Sequence, residues 1–190
     1  PELEDADCIL ITGSNTTEAH PLIASRIFKA KEKRAKLIVI DPRKTQIARY
    51  ADLYIRQRPG TDVAWINGLI HVILKEGWEN RTFIESRTDG FEALKKEVEP
   101  YSPEKVEEVT GISPNDLRQI AECFAKAEKG SIVYCMGITQ HTTGTDNVLA
   151  LANLAMVTGQ IGRLSTGVNP LRGQNNVQGA CDMGGLPNVY

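Results

Sequence analysis

The most constraining feature of this sequence is a pair of short, unbroken apolar runs. Cys8-Ile9-Leu10-Ile11-Thr12 and Leu37-Ile38-Val39-Ile40 are separated by a helix-like stretch over residues 21–33. A strand with one face in water alternates apolar and polar residues. A strand that is apolar at successive positions needs cover on both faces. Both runs are rich in β-branched residues and end at turn-formers, Gly13-Ser14-Asn15 after the first and Asp41-Pro42 after the second. Strand, polar loop, helix and strand make a βαβ unit, which commits the chain to a parallel sheet between helical layers.

The rest of the chain extends that unit. Residues 53–55 form a third strand, and 63–75 a helix with Ile66, Leu69, Ile70 and Ile73 at helical spacing. Residues 78–98 are helical with an interruption at Asp89-Gly90. Ser102-Pro103 and Ser113-Pro114 each open a helix with Pro at its first position, and Gly111 ends the first of these. A strand over 131–135, a polar loop over 137–144 and a helix over 145–158 follow. From Gly159 onward Gly, Asn, Gln and Pro dominate and no periodicity survives. The expected fold is α/β: a Rossmann-like three-layer domain with a mostly parallel sheet over residues 1–165. An irregular Gly/Asn/Gln-rich segment over 166–190 would then lead into a further domain.

Composition removes several function classes. A net charge of −2 offers nucleic acid no bulk attraction. No apolar stretch approaches the roughly 20 residues that cross a bilayer, so this segment is expected to make no membrane contact. The run Lys29, Lys31, Lys33, Arg34 and Lys36 suits a solvated helix end. The four cysteines, Cys8, Cys123, Cys135 and Cys181, never form a C-x-x-C pair, so neither a closely spaced metal cluster nor a disulfide framework is expected. Cys8 and Cys135 sit in strand-like runs as small hydrophobes. The thiols lean toward a reducing, cytoplasmic compartment.

Polar loops leave the carboxyl ends of the strands, where ligands of open parallel sheets bind. Gly13 to Glu18 is placed like a phosphate-binding turn but lacks G-x-G-x-x-G. Asp41 at the end of the second strand could accept from a nucleotide sugar or base, or simply make a turn. In Arg58-Pro59-Gly60-Thr61-Asp62, Thr61 or Asp62 could cap the next helix, bind a purine N–H edge, or do both. Residues 167–184, with Arg172-Gly173 in an amide-dense run, read either as a contact with a large polar ligand or as a surface linker. Arg172 could hold a carboxylate bidentately.

Residues 167–184 also resemble the corresponding stretch of formate dehydrogenase catalytic subunits in the molybdopterin oxidoreductase (dimethyl sulfoxide reductase) family. The family pattern is matched, in its order, by residues 13–21, Ile40-Asp41-Pro42-Arg43, Pro59-Gly60-Thr61-Asp62, residues 136–140 and residues 153–159. The resemblance implies an α/β domain holding one molybdopterin guanine dinucleotide of a bis-dinucleotide cofactor with molybdenum or tungsten. By that likeness Asn15 and Glu18 lie near its phosphates and ribose. Asp41, Arg43, Gly60, Thr61 and Asp62 surround the guanosine, and Met136, Gly137 and Gln140 line the path toward the metal. Arg172 orients formate's carboxylate, and Gly173 lets the backbone approach the pterin.

The family's metal ligand and its 4Fe-4S motif are not among these residues, so no metal ligand is assigned here. His20, His71 and His141 read as structural or solvent-facing. The chain is therefore expected to be an internal piece of a catalytic subunit, inactive alone, working with the rest of that subunit and with electron-transfer subunits. Competing readings are another enzyme of the family and a standalone guanine-nucleotide-binding module without catalysis.

Overall fold

The computed structural model describes residues 2–174 and 176–186. Cys8–Thr12 (β1) runs into Thr16–Ala19 (α1) and Pro21–Glu32 (α2), then Lys36–Ile40 (β2) and Leu53–Ile55 (β3). Five helices follow: Asp62–Glu76 (α3), Arg81–Arg87 (α4), Phe91–Val98 (α5), Pro103–Thr110 (α6) and Pro114–Ala125 (α7). Gly130–Tyr134 (β4), Met136–Thr139 (α8), Gly144–Val157 (α9), Gly167–Pro170 (β5) and Val177–Asp182 (α10) complete the described order.

The strands form one five-stranded sheet in the order β3-β2-β1-β4-β5. Every pairing in it is parallel. Alternate residues of each strand supply opposite cores, as a strand's two-residue period requires. Cys8, Leu10, Ile38, Ile40, Ile132 and Tyr134 face a cluster with α3, α7 and α9, including Trp65, Ile66, Phe124 and Leu154. Ile9, Ile11, Leu37, Val39 and Val133 face the other way, against Ile27 and Ala30 of α2 and Ile47 and Ala48. Helices thus cover both sheet faces, which is why β1 and β2 could be apolar without alternation. Each fully buried Ile or Leu here contributes about 1.5–3 kcal/mol by leaving water.

Local chemistry sets the helix ends. Ser102 Oγ accepts from Lys105 N at 3.3 Å, and Ser113 Oγ from Asp116 N at 3.1 Å, each ahead of a Pro at the first helical position. Gly77 and Gly111 close α3 and α6 in the left-handed conformation, at φ +71° and +78°. The basic run at the end of α2 is tied down by ion pairs, Lys31 to Asp52 at 2.6 Å and Lys33 to Asp5 at 2.7 Å. Among the described residues no helix is long and apolar enough to cross a membrane.

Two expectations need correction. The tail beyond Gly159 is not structureless: Gly167–Pro170 pairs with Ser131–Tyr134 as an edge strand, so the sheet runs past the 165/166 boundary, and α10 follows. Its backbone bonds to β4, rather than any side-chain pattern, make it a strand. Neither Thr61 nor Asp62 caps α3 with its side chain. The Thr61 hydroxyl instead donates to Arg58 O at 2.7 Å, closing the turn in which Gly60 takes φ +78°. Asn175 and residues 187–190, part of the tail singled out in the sequence, lie outside the described residues.

Candidate functional site

The strand order places a topological switch point between β1 and β4. From β1 the chain winds outward to β2 and β3, then crosses to β4 on the other side, so the loops after β1 and β4 part in opposite directions. Open α/β sheets bind ligands in the crevice this creates at the carboxyl edge. Here a cleft of about 340 Å³ opens there, lined by the loops after β1, β2, β3 and β4. Another cavity, of about 380 Å³, has walls from Ile84, Phe91, Leu94 and Met156, and none of the strand-end loops reaches it.

The floor of the cleft is a backbone crossing. Gly137 N donates to Gly13 O at 3.1 Å. A Cβ on Gly13 would lie 2.6 Å from Gly137 C, and one on Gly137 would lie 2.5 Å from Gly13 Cα. Gly13 also holds φ +57°, so two demands fall on that one residue. Beside it Asn15 precedes α1, and its Oδ1 is buried without a hydrogen-bond partner among the described residues. Across the crossing, His141 Nε2 donates to Gly137 O at 2.9 Å.

The far wall carries two carboxylates. Asp41 is buried, and its Oδ1 accepts from Arg43 N at 2.8 Å. Burial pushes its carboxyl above the ordinary range; the nearby Asp62 charge adds to this, while Arg43 opposes it. Asp62, only 3% exposed, opens α3, where the helix terminus favours an anion. Its Oδ1 accepts from Trp65 Nε1 at 3.2 Å and Gln57 Nε2 at 3.5 Å. Gln57 Oε1 is buried without a partner among the described residues. A second cavity shares Asn15 and Arg43 with the cleft and adds Glu18, Lys44 and Arg49. Asp41 and Asp62 thus line the cleft with Arg43 at its border, and Arg43, Lys44 and Arg49 outnumber Glu18 in the next chamber, an arrangement suited to a ligand with an N–H-rich end and an anionic middle.

Of the residues expected from sequence, Asn15, Asp41, Arg43, Gly60, Asp62, Met136 and Gly137 line this cleft. Glu18 lies in the adjoining chamber. Thr61 and Gln140 line neither, and Thr61's hydroxyl is committed to its own turn. Arg172 and Gly173 arrive from β5 beside the β4 loop. Leu171 N donates to Tyr134 O at 2.7 Å, and a Cβ on Gly173 would lie 2.6 Å from Met136 Sδ. Burial raises the Tyr134 hydroxyl's pKa and the Arg172 charge opposes it. His20 Nε2 donates to Arg172 O at 2.6 Å, bridging the β1 loop to this segment.

Sequence reasoning missed Gln57, which has no motif around it, and gave no site role to His141 or Cys135, which line the cleft. Among the described residues no group of three or more His, Cys, Asp or Glu gathers as a metal-binding cluster.

The model of the molybdopterin oxidoreductase family matches residues 1–190. The alpha subunit of F420-dependent formate dehydrogenase 1 of Methanococcus maripaludis is 56% identical over 189 residues. The corresponding alpha subunit of Methanocaldococcus jannaschii is 57% identical over 189 residues, and formate dehydrogenase H of Escherichia coli 46% over 189. All of this chain is covered in each, but only 28%, 28% and 26% of those proteins, so it spans about a quarter of their length. Among solved structures, acetylene hydratase of Pelobacter acetylenicus superposes with a TM-score of 0.79 at 31% identity, covering 82% of this chain and 22% of that one.

Proposed function

Since the chain belongs to the molybdopterin oxidoreductase family, we propose that it is the part of a formate dehydrogenase catalytic subunit that holds one guanine dinucleotide of a bis-molybdopterin guanine dinucleotide cofactor. The observation that carries this reading is the cleft at the β1/β4 switch point, with Asp41 and Asp62 on its wall and a glycine crossing at its floor.

The residues fit such a group. Gly13 and Gly137, which have no room for a Cβ, let the β1 and β4 loops meet backbone to backbone and so shape the cleft floor on which such a group would rest. The orphaned acceptor on Asn15 needs a donor. Asp62 offers its free Oδ2 to the N–H edge of guanine, and Asp41 suits a ribose hydroxyl or a base N–H. Arg43, Lys44 and Arg49 supply positive charge for the phosphates. When bound, the cofactor, with molybdenum or tungsten, would supply a two-electron acceptor for the oxidation of formate to carbon dioxide and a proton. A 4Fe-4S cluster elsewhere in the subunit and separate electron-transfer subunits would take the electrons onward. Arg172 holds the formate carboxylate through its planar guanidinium, and His20 fixes the backbone from which it projects.

Purified full-length subunit, offered formate and nitrate separately, tests this. Formate-dependent reduction of an artificial acceptor is expected. Turnover of nitrate without turnover of formate would assign the domain to a different reaction of the family.

A further inference from the structure

Asp62 is not a free carboxylate. One turn into α3, Trp65 is fully buried in the core, and its indole N–H, which can only donate, spends itself on Asp62 Oδ1 at 3.2 Å. Gln57 adds a second donor to the same oxygen at 3.5 Å. Turning its amide N–H that way leaves Gln57 Oε1 buried without a partner among the described residues. A carboxylate turns easily about its terminal torsion. Two donors anchored on one oxygen remove that freedom. Of the roughly four acceptor sites on a carboxylate, two are then used by the protein and two remain on Oδ2.

We infer that Trp65 and Gln57 are positioning residues that fix the plane of the Asp62 carboxylate, so that Oδ2 meets the two-donor edge of a guanine. This rests on the guanine-dinucleotide reading above. Trp65 does not line the cleft; it acts only through Asp62. Guanine presents N1–H and an exocyclic amine side by side, whereas hypoxanthine keeps N1–H and lacks the amine. Only a carboxylate held in one plane rewards the second donor consistently, so selectivity for guanine over hypoxanthine is the property that Trp65 controls.

The test titrates cofactor-free full-length subunit with guanosine and inosine monophosphates, in wild type and in Trp65→Phe, which keeps an aromatic ring in the core but deletes the N–H. Wild type should prefer the guanine nucleotide by about tenfold, and Trp65→Phe should bring the ratio to within about threefold. A purely structural role for Trp65 would lower the thermal midpoint and weaken both nucleotides together, leaving the ratio unchanged. That result would overturn the inference while leaving Asp62 as the base-reading group. Wild type without preference would overturn the base reading itself, and this inference with it. If Trp65→Phe does not fold, Gln57→Leu, in a loop outside the helical core, removes the other donor. It should lower the ratio about twofold to threefold, and an unchanged ratio would count against the inference.

Discussion

A single methyl group at the crossing of the β1 and β4 loops should cost this protein more than the same methyl anywhere else on the cleft. Three glycines separate the causes. Gly60 holds φ +78° with nothing within 4 Å of an added Cβ, so Gly60→Ala meets backbone strain alone, about 1–2 kcal/mol. Gly137 has no positive φ, but its Cβ would lie 2.5 Å from Gly13 Cα and 2.7 Å from Gly13 O. Backbone cannot rotate aside as a side chain can, and such overpacking costs about 1–3 kcal/mol. Gly13 combines φ +57° with approaches of 2.6 Å to Gly137 C and 2.7 Å to Ile138 N. Gly13→Ala should therefore cost about 2–5 kcal/mol. For a chain this size that is a fall of roughly 4–20 °C in thermal midpoint, against about 2–8 °C for Gly60→Ala. Urea unfolding of the 190-residue chain at fixed pH, followed by far-UV circular dichroism, gives the free energies. The Gly13→Ala, Gly137→Ala double variant should lose less than the sum, because both methyls push apart one contact. If Gly13→Ala lost no more than Gly60→Ala, the close approach that shapes the cleft floor would be refuted.

Three further outcomes are expected. In the full-length subunit Arg172→Ala should lower kcat/KM for formate about 10²–10³-fold, and Arg172→Lys should also be poor because the planar fork is lost; near-normal steady-state rates would remove Arg172 from the substrate. His20→Ala removes the bond to Arg172 O and should raise the KM for formate about fivefold at little change in cofactor content; an unchanged KM would show the bridge to be idle. Asp41 binds its proton more tightly when folded than at its ordinary value of 3.8. The stability this proton contributes is full below that value and is lost as pH rises through the raised one. At pH 7 the buried charge is then a cost, so Asp41→Asn should stabilise the ligand-free chain, with the gain fading as pH falls through the raised value toward 3.8. A pH series of urea midpoints in which the gain grew toward acid would contradict the direction.

The fold was largely legible because its strongest physical demand, burial on both sheet faces, writes itself as unbroken apolar runs at Ile9-Leu10-Ile11 and Leu37-Ile38-Val39-Ile40. Helix starts at Ser102-Pro103 and Ser113-Pro114 were equally plain, since capping and proline chemistry are local. β5 was hidden: Gly167-Val168-Asn169-Pro170 has no pattern of its own and is a strand only because β4 offers an open edge. The carboxylates at strand ends could be named from position alone, but which loops would meet could not, because the Gly13–Gly137 crossing joins residues far apart in sequence. Gln57 carries no signal in a run of polar residues. The tie from Trp65 to Asp62 has one, a spacing of one helical turn beside a helix start, but that spacing serves packing as readily as hydrogen bonding.

Nucleotide analysis of the purified full-length subunit tests the central claim most directly, since it asks whether this cleft holds a guanine dinucleotide. Acid hydrolysis of the wild-type protein should release guanosine monophosphate. Asp62→Asn, which keeps the shape of the side chain but loses its charge and one acceptor, should release substantially less at equal folded protein. Wild-type protein that releases no guanosine monophosphate, or Asp62→Asn protein that releases as much as wild type, would contradict it.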